Sequence, residues 1–116
     1  MKDEIVCIVI FFILIGFFVT NNYVIDTHTQ NIIKAIDDAQ NFEDCKSIIK
    51  EWNGKKKHLF YTCSHTLLMQ IDENLTFALD YMEEDDIARA RHSLKKAKII
   101  LRDLSEREKI KLDNIF

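Results

Sequence analysis

The chain has 116 residues, of which 47% are hydrophobic and 30% are charged, so it can hold one small domain. Residues 26–116 carry 15 Lys and Arg against 17 Asp and Glu, because only Lys2, Asp3 and Glu4 are charged in the part before them. Such a balanced surface argues against binding to nucleic acid. Proline is absent and glycine occurs only twice, which disfavours β-hairpins and long loops and predicts an all-α fold.

An uncharged apolar segment runs from Ile5 to Val19. A helix of this length spans roughly 22 Å, less than the ~30 Å hydrocarbon core, so we expect it to continue toward Ile25 before it has crossed a lipid bilayer. The segment is rich in bulky Phe and Ile and no small-residue cleavage site follows it, which favours an uncleaved signal-anchor over a secretory signal peptide. Residues 1–25 are therefore predicted to be the membrane anchor of a single-pass protein.

The orientation of this anchor is poorly defined by charge, because Lys2 and Lys34 are the only basic residues close to its two ends. A very short tail before a hydrophobic segment is the usual signal-anchor arrangement. We therefore expect the N-terminus inside the cell and residues 26–116 outside the cytoplasm, as a helical domain at the cell envelope.

Residues 26–116 are predicted to fold as a small antiparallel bundle of three or four helices, because apolar residues recur at steps of three and four. One hairpin turn is predicted near 53–54, where Asn53 and Gly54 both tolerate the left-handed conformation that ends helices. A second is predicted near 83–86, where an acidic cluster interrupts the apolar stripe.

Segment 26–52 allows two interpretations. It contains neither glycine nor proline and equals segment 56–82 in length, so the two could pair as long helices across the turn at 53–54. Alternatively, a weak internal repeat at an offset of 45 residues, together with a shift of the apolar stripe near 38–42, favours two helices within 26–52. The choice decides which charged end of the bundle faces the membrane.

Several features spread over nearly the whole chain resemble one protein family. After the N-terminal anchor these are Phe42-x-x-Cys45, Trp52 before a basic and aromatic stretch, His65 ahead of Ile71-Asp72, and the ending Leu112-Asp113-Asn114-Ile115-Phe116. Together they resemble domain-of-unknown-function family 4363. The resemblance implies a small membrane-anchored helical protein of anaerobic, endospore-forming, Gram-positive bacteria, and it implies no activity because none is established for the family. Thr66 stands where the family tends to have an acidic residue, so no His–carboxylate pair is implied.

Cys45 and Cys63 form a candidate thiol pair. They lie nine residues before and nine after Gly54, so a turn there would bring them to one level on facing helices, where a disulfide is geometrically possible. Each cysteine also falls on an apolar stripe, where a free thiol packs as a small hydrophobic group. We expect both thiols to pack in the core and not to form the disulfide.

Other site chemistry is poorly supported. Cys63-x-His65 offers ligand types for zinc, but side chains two residues apart on a helix diverge by about 200°, and the spacing matches no standard zinc site. Ser64, His65 and Asp72 lack the converging elements and the oxyanion hole of a catalytic triad. We therefore predict no metal, no other cofactor, no small-molecule substrate and no enzyme activity.

Lys55, Lys56 and Lys57 are candidate contacts for anionic lipid headgroups if their turn faces the membrane. The expected function is a non-catalytic interaction or scaffolding module that has, besides the lipid bilayer, a protein partner or a second copy of itself. The alternative is a redox- or ligand-responsive sensor domain that uses Cys45, Cys63 and His65.

Overall fold

The computed structural model describes the backbone of residues 2–59 and 63–115 and the side chains of residues 2–59 and 63–107. Within these ranges the chain is almost wholly helical and contains no strand, so the predicted all-α class is confirmed. The helices are α1 (Lys2–Asp38), α2 (Phe42–Leu59), α3 (His65–Glu83) and α4 (Ile87–Ile115).

The first helix joins the predicted anchor to the bundle without interruption. α1 has 37 residues, which corresponds to about 55 Å of helix. Its N-terminal part is exposed, with Phe12 at 67%, and is long and apolar enough to cross a membrane. Burial begins at Ile25, which is 1% exposed, and continues through Thr29 and Ile36. A single helix therefore carries both the hydrophobic segment and one wall of the bundle.

The four helices pack as an up-down-up-down bundle. Each helix contacts its neighbours in the chain and α1 also contacts α4, whereas no contact joins α1 to α3 or α2 to α4 among the described residues. The core residues of α3 recur at alternating steps of three and four, as in coiled-coil packing. They are Leu68, Ile71, Leu75, Ala78 and Met82.

The first turn of the bundle lies at residues 39–41, so 26–52 holds parts of two helices and not one continuous helix. Asn41 caps α2, because its side-chain oxygen accepts a hydrogen bond from the Asp44 N–H at 2.9 Å. The Asp44 carboxylate in turn accepts one from the Gln40 N–H at 2.9 Å. The first bond satisfies an amide group that the start of α2 leaves without a backbone partner, and the second holds the preceding turn against the helix.

The predicted turn near 53–54 is wrong, because α2 continues through Asn53 and Gly54 to Leu59. Gly54 does not have a positive φ, so its backbone does not end the helix. A glycine inside a helix costs about 1 kcal/mol relative to alanine. Trp52 and Leu59, each 1% exposed, gain roughly 1.5–3 kcal/mol apiece from burial. Packing on both sides of the glycine therefore outweighs the local preference for a turn.

The predicted turn near 83–86 is confirmed, since it joins the end of α3 to the start of α4. Asp85 has a φ of 59°, a left-handed conformation that aspartate tolerates better than most residues. The Asp86 carboxylate accepts a hydrogen bond from the Arg89 N–H at 3.2 Å and thereby caps α4. The acidic cluster thus forms the turn and begins the next helix.

Candidate functional site at the proximal end of the bundle

The end of the bundle next to the hydrophobic part of α1, here called the proximal end, brings three helices together. The Ser105 hydroxyl on α4 donates a hydrogen bond to the Asp26 carboxylate on α1 at 2.8 Å. The ring of His58, in the last turn of α2, lies against the ring of His28 on α1. The other end, here called the distal end, carries the turns at 39–41 and 84–86.

The two histidines form the most unusual contact of the proximal end. Their ring centroids are 5.9 Å apart and the ring planes differ by 24°, which is a stacked arrangement. The Nδ1 atom of His28 is buried and has no hydrogen-bond partner among the described residues. Burial lowers the pKa of His28, the charges of Lys55 and His58 lower it further, and Glu51 opposes them. The His28 ring is therefore held in its neutral form near pH 7.

The side chain of His28 is partly buried. The reason is the length of α2. Because α2 does not end at Gly54, its last turn reaches the level of His28 and covers one side of the ring. No local sequence pattern predicts this contact, since it depends on where a neighbouring helix ends.

A second polar contact at this level fixes α2 against α3. The Asp72 carboxylate accepts one hydrogen bond from the Trp52 indole N–H and another, at 3.1 Å, from the Lys56 ammonium group. Trp52 is 1% exposed, and a buried indole N–H requires an acceptor. Asp72 therefore has a positioning role, which the sequence indicates only through the presence of a core tryptophan.

The three lysines of the candidate lipid contact lie at the proximal end but differ in their surroundings. Lys55 forms an ion pair with Glu51 at 2.7 Å, and Lys56 forms one with Asp72 at 3.1 Å. Lys57 is exposed and has no ion pair with any residue that the structure describes. Among the three lysines, Lys57 is thus the most available to an anionic headgroup.

The structure does not bring Cys45 and Cys63 together. Cys45 lies in the first turn of α2, at the distal end, and Cys63 lies next to Leu59, whose carbonyl accepts its N–H at 3.0 Å. Leu59 lies fourteen positions after Cys45 in α2, which corresponds to about 21 Å of helix, whereas a disulfide needs Cα atoms within about 7 Å. The disulfide between Cys45 and Cys63 that the sequence allowed is therefore wrong, because it depended on a turn at 53–54.

Both cysteines are buried in the core, where they are 1% and 5% exposed. Burial raises the pKa of the Cys45 thiol and the nearby Asp44 charge raises it further, so this sulfur resists ionisation. His65 is the exposed first residue of α3, close in the chain to Cys63 and at the opposite end of the bundle from Cys45. The three residues of the sensor alternative therefore do not form one site.

An open cleft of about 460 Å³ lies between α1 and α4 at the distal end. Its rim includes Asp37 from α1 and Arg91, Lys95 and Lys98 from α4, and the Lys98 ammonium group pairs with the Asp37 carboxylate across it. No group of three or more His, Cys, Asp or Glu suited to a metal ion is present in the described part of the chain. The cleft is a polar groove in which no nucleophile and base converge.

No family model, curated protein or solved structure matches this chain. The resemblance to domain-of-unknown-function family 4363 therefore stays a prediction. Its most specific part, the ending Leu112 to Phe116, lies outside the described side chains.

Proposed function

We propose that the protein is a membrane-anchored, non-catalytic interaction or scaffolding module at the cell envelope. The observation that carries this proposal is the continuity of α1, which passes from an exposed apolar segment into the bundle core without a break. A bundle held by such a helix keeps a fixed direction relative to its anchor. This arrangement suits a surface that must meet a partner at a defined height above the bilayer.

The proposed partner is another protein or a second copy of this chain. Large apolar side chains lie exposed on the outer faces of the bundle, namely Met69 at 62%, Phe77 at 51% and Ile99 at 55%. Single exposed apolar residues occur on most soluble proteins, yet anchors of this size supply much of the energy in real interfaces. Neither nucleic acid nor a small-molecule substrate is part of the proposal.

A lipid contact is the second element of the proposal. The end of α2 lies at the proximal end, where Lys57 is exposed. One basic residue near an anionic membrane surface contributes about 1 kcal/mol. Because Lys55 and Lys56 already pair with carboxylates, this contact can orient the domain but adds little to an attachment made by the hydrophobic helix.

The proposed orientation has the N-terminus inside the cell and the bundle outside the cytoplasm. It is the orientation expected of a signal-anchor. Labelling of an exposed cysteine introduced by Lys57→Cys with a membrane-impermeant maleimide, in intact cells, tests it. Labelling before lysis is the expected result, and labelling only after lysis contradicts the orientation.

The interaction proposal is tested by chemical cross-linking of the full-length protein in its own membrane. Wild type should give a discrete adduct, either a dimer or a complex with one partner. Phe77→Glu or Ile99→Glu should weaken that adduct, whereas Thr76→Glu, an equally charged change at an exposed neighbour of Phe77, should leave it unchanged. A chain that stays monomeric and yields no adduct, or adducts identical in all variants, would contradict the proposal.

A further inference from the structure

We propose that the stacked pair His28 and His58 is a proton-operated latch between α1 and α2, which is closed when both rings are neutral and opens when they are protonated. The inference does not depend on the identity of any partner. It concerns the proximal end, where α1 continues into the hydrophobic segment.

The geometry of the pair carries the inference. The two rings are 5.9 Å apart and nearly parallel, and each belongs to a different helix. His28 lies three residues beyond Ile25, where the core begins, and its Nδ1 is buried with no partner among the described residues. A proton added at that nitrogen would place a positive charge where no described residue accepts a hydrogen bond from it, and a buried unpaired charge is costly.

The charges that face His28 from α2 also oppose its protonation. Lys55 and His58 are the cationic or titratable neighbours, and both lower the pKa of His28. Glu51 is the one carboxylate of α2 that acts in the other direction, and it already accepts the Lys55 ammonium group at 2.7 Å. Protonation of both histidines would therefore put two cations near Lys55, and Glu51 is the only carboxylate of α2 that opposes the effect on His28.

The other neighbour of α1 does not offset this repulsion. Asp26 precedes His28 by two residues, so the two side chains point about 200° apart around α1. The Asp26 carboxylate accepts a hydrogen bond from the Ser105 hydroxyl of α4. Asp103 of α4 pairs with Arg107 at 3.1 Å. Helix α3 has no contact with α1 among the described residues, and no group of α3 is among those that shift the pKa of His28.

The direction of the effect follows from the lowered pKa of His28. A histidine that binds its proton more weakly in the closed form favours the closed form above its ordinary pKa of about 6.5. That contribution is lost as the pH falls below this value. The latch is therefore closed at neutral pH and opens in acid. Because α1 is unbroken, an opening at His28 acts directly on the helix that enters the membrane.

Hydrogen exchange of the full-length protein in lipid nanodiscs tests the latch at about pH 7.5 and about pH 5.5, on either side of the ordinary histidine pKa. After correction for the intrinsic pH dependence of exchange, backbone amides around His28 and in the last turn of α2 should open more often in acid. Repulsion between cations about 6 Å apart at a partly exposed site corresponds to a change on the order of tenfold. Amides at the distal end should change little.

The variant His28→Gln should lose this acid response and His58→Gln should weaken it, because burial of His28 remains when His58 is replaced. His58→Gln keeps the test valid if His28→Gln folds poorly, since His58 is exposed. His92→Gln is the matched control, because His92 is an exposed histidine on the outer side of α4, and it should respond as wild type does. A wild-type proximal end that does not open in acid would overturn the latch, and so would an undiminished response in His58→Gln.

Discussion

The replacement Gly54→Ala discriminates between the helix observed at this position and the turn that its sequence suggests. Gly54 lies inside α2 without a positive φ, and a Cβ atom added there would meet no atom within 4 Å. Alanine can therefore adopt the native backbone without strain, and it reduces the conformational freedom of the unfolded chain. We expect Gly54→Ala to raise the free energy of unfolding by about 0.5–1 kcal/mol.

The assay is thermal or denaturant unfolding of the full-length protein in detergent micelles, followed by the fluorescence of Trp52, the only tryptophan. A gain of about 1 kcal/mol corresponds to a rise in Tm of roughly 4–8 °C for a domain of this size. Gly16→Ala is the matched control, since that Cβ would also meet no atom within 4 Å but lies in the hydrophobic segment. The control should leave the unfolding of the bundle unchanged. Destabilisation by Gly54→Ala would refute the continuous helix, because alanine is strained where φ is positive.

Three further experiments test the other contacts and the burial of the two thiols. Asp72→Ala should lower the free energy of unfolding by about 1–3 kcal/mol, because it leaves the buried indole N–H of Trp52 without an acceptor. The control Glu73→Ala, at an exposed position, should change the free energy of unfolding by less than about 0.5 kcal/mol. Asn41→Ala should cost about 1 kcal/mol through loss of the α2 cap. Cys45 and Cys63 should react with a thiol reagent only on the timescale of unfolding, as counted by mass spectrometry, because both are buried.

Each of these expectations has a clear opposite. If Asp72→Ala and Glu73→Ala changed the free energy of unfolding equally, Asp72 would not fix α2 to α3. An Asn41→Ala variant as stable as wild type would mean that the turn at 39–41 is not capped as described. Rapid labelling of either thiol in the folded protein would contradict its place in the core.

Much of the architecture can be predicted from sequence because long apolar patterns dominate it. The hydrophobic segment, the all-α class and the acidic turn near 83–86 all follow from composition and spacing. The turn near 53–54 could not be predicted correctly, because Asn-Gly is a local signal and the burial of Trp52 and Leu59 overrides it. The break at 39–41 was one of two open interpretations, and Asn41 followed by Asp44 is the capping pattern that distinguishes it.

The candidate site was harder to predict than the fold. Placing the lysine run, the two cysteines and His28 required knowledge of which residues form the turns, so one misassigned turn changed all of them. In the structure Cys45 and Cys63 lie at opposite ends of the bundle, whereas the rings of His28 and His58 stack against each other. The contact between Trp52 and Asp72 joins residues 20 positions apart on different helices, and no local pattern indicates it.

The central claim is that the bundle stands on the membrane with the end of α2 beside the bilayer and the acidic turn far from it. Fluorophores attached at Lys57→Cys and at Asp85→Cys in the full-length protein, in nanodiscs that contain headgroup-labelled quencher lipids, measure this directly. The two positions are separated by roughly the length of an 18- or 19-residue helix, about 27 Å. Strong quenching at residue 57 and weak quenching at residue 85 is the predicted result. The reverse pattern, which one continuous helix over 26–52 would produce, would contradict the structure and the function proposed from it.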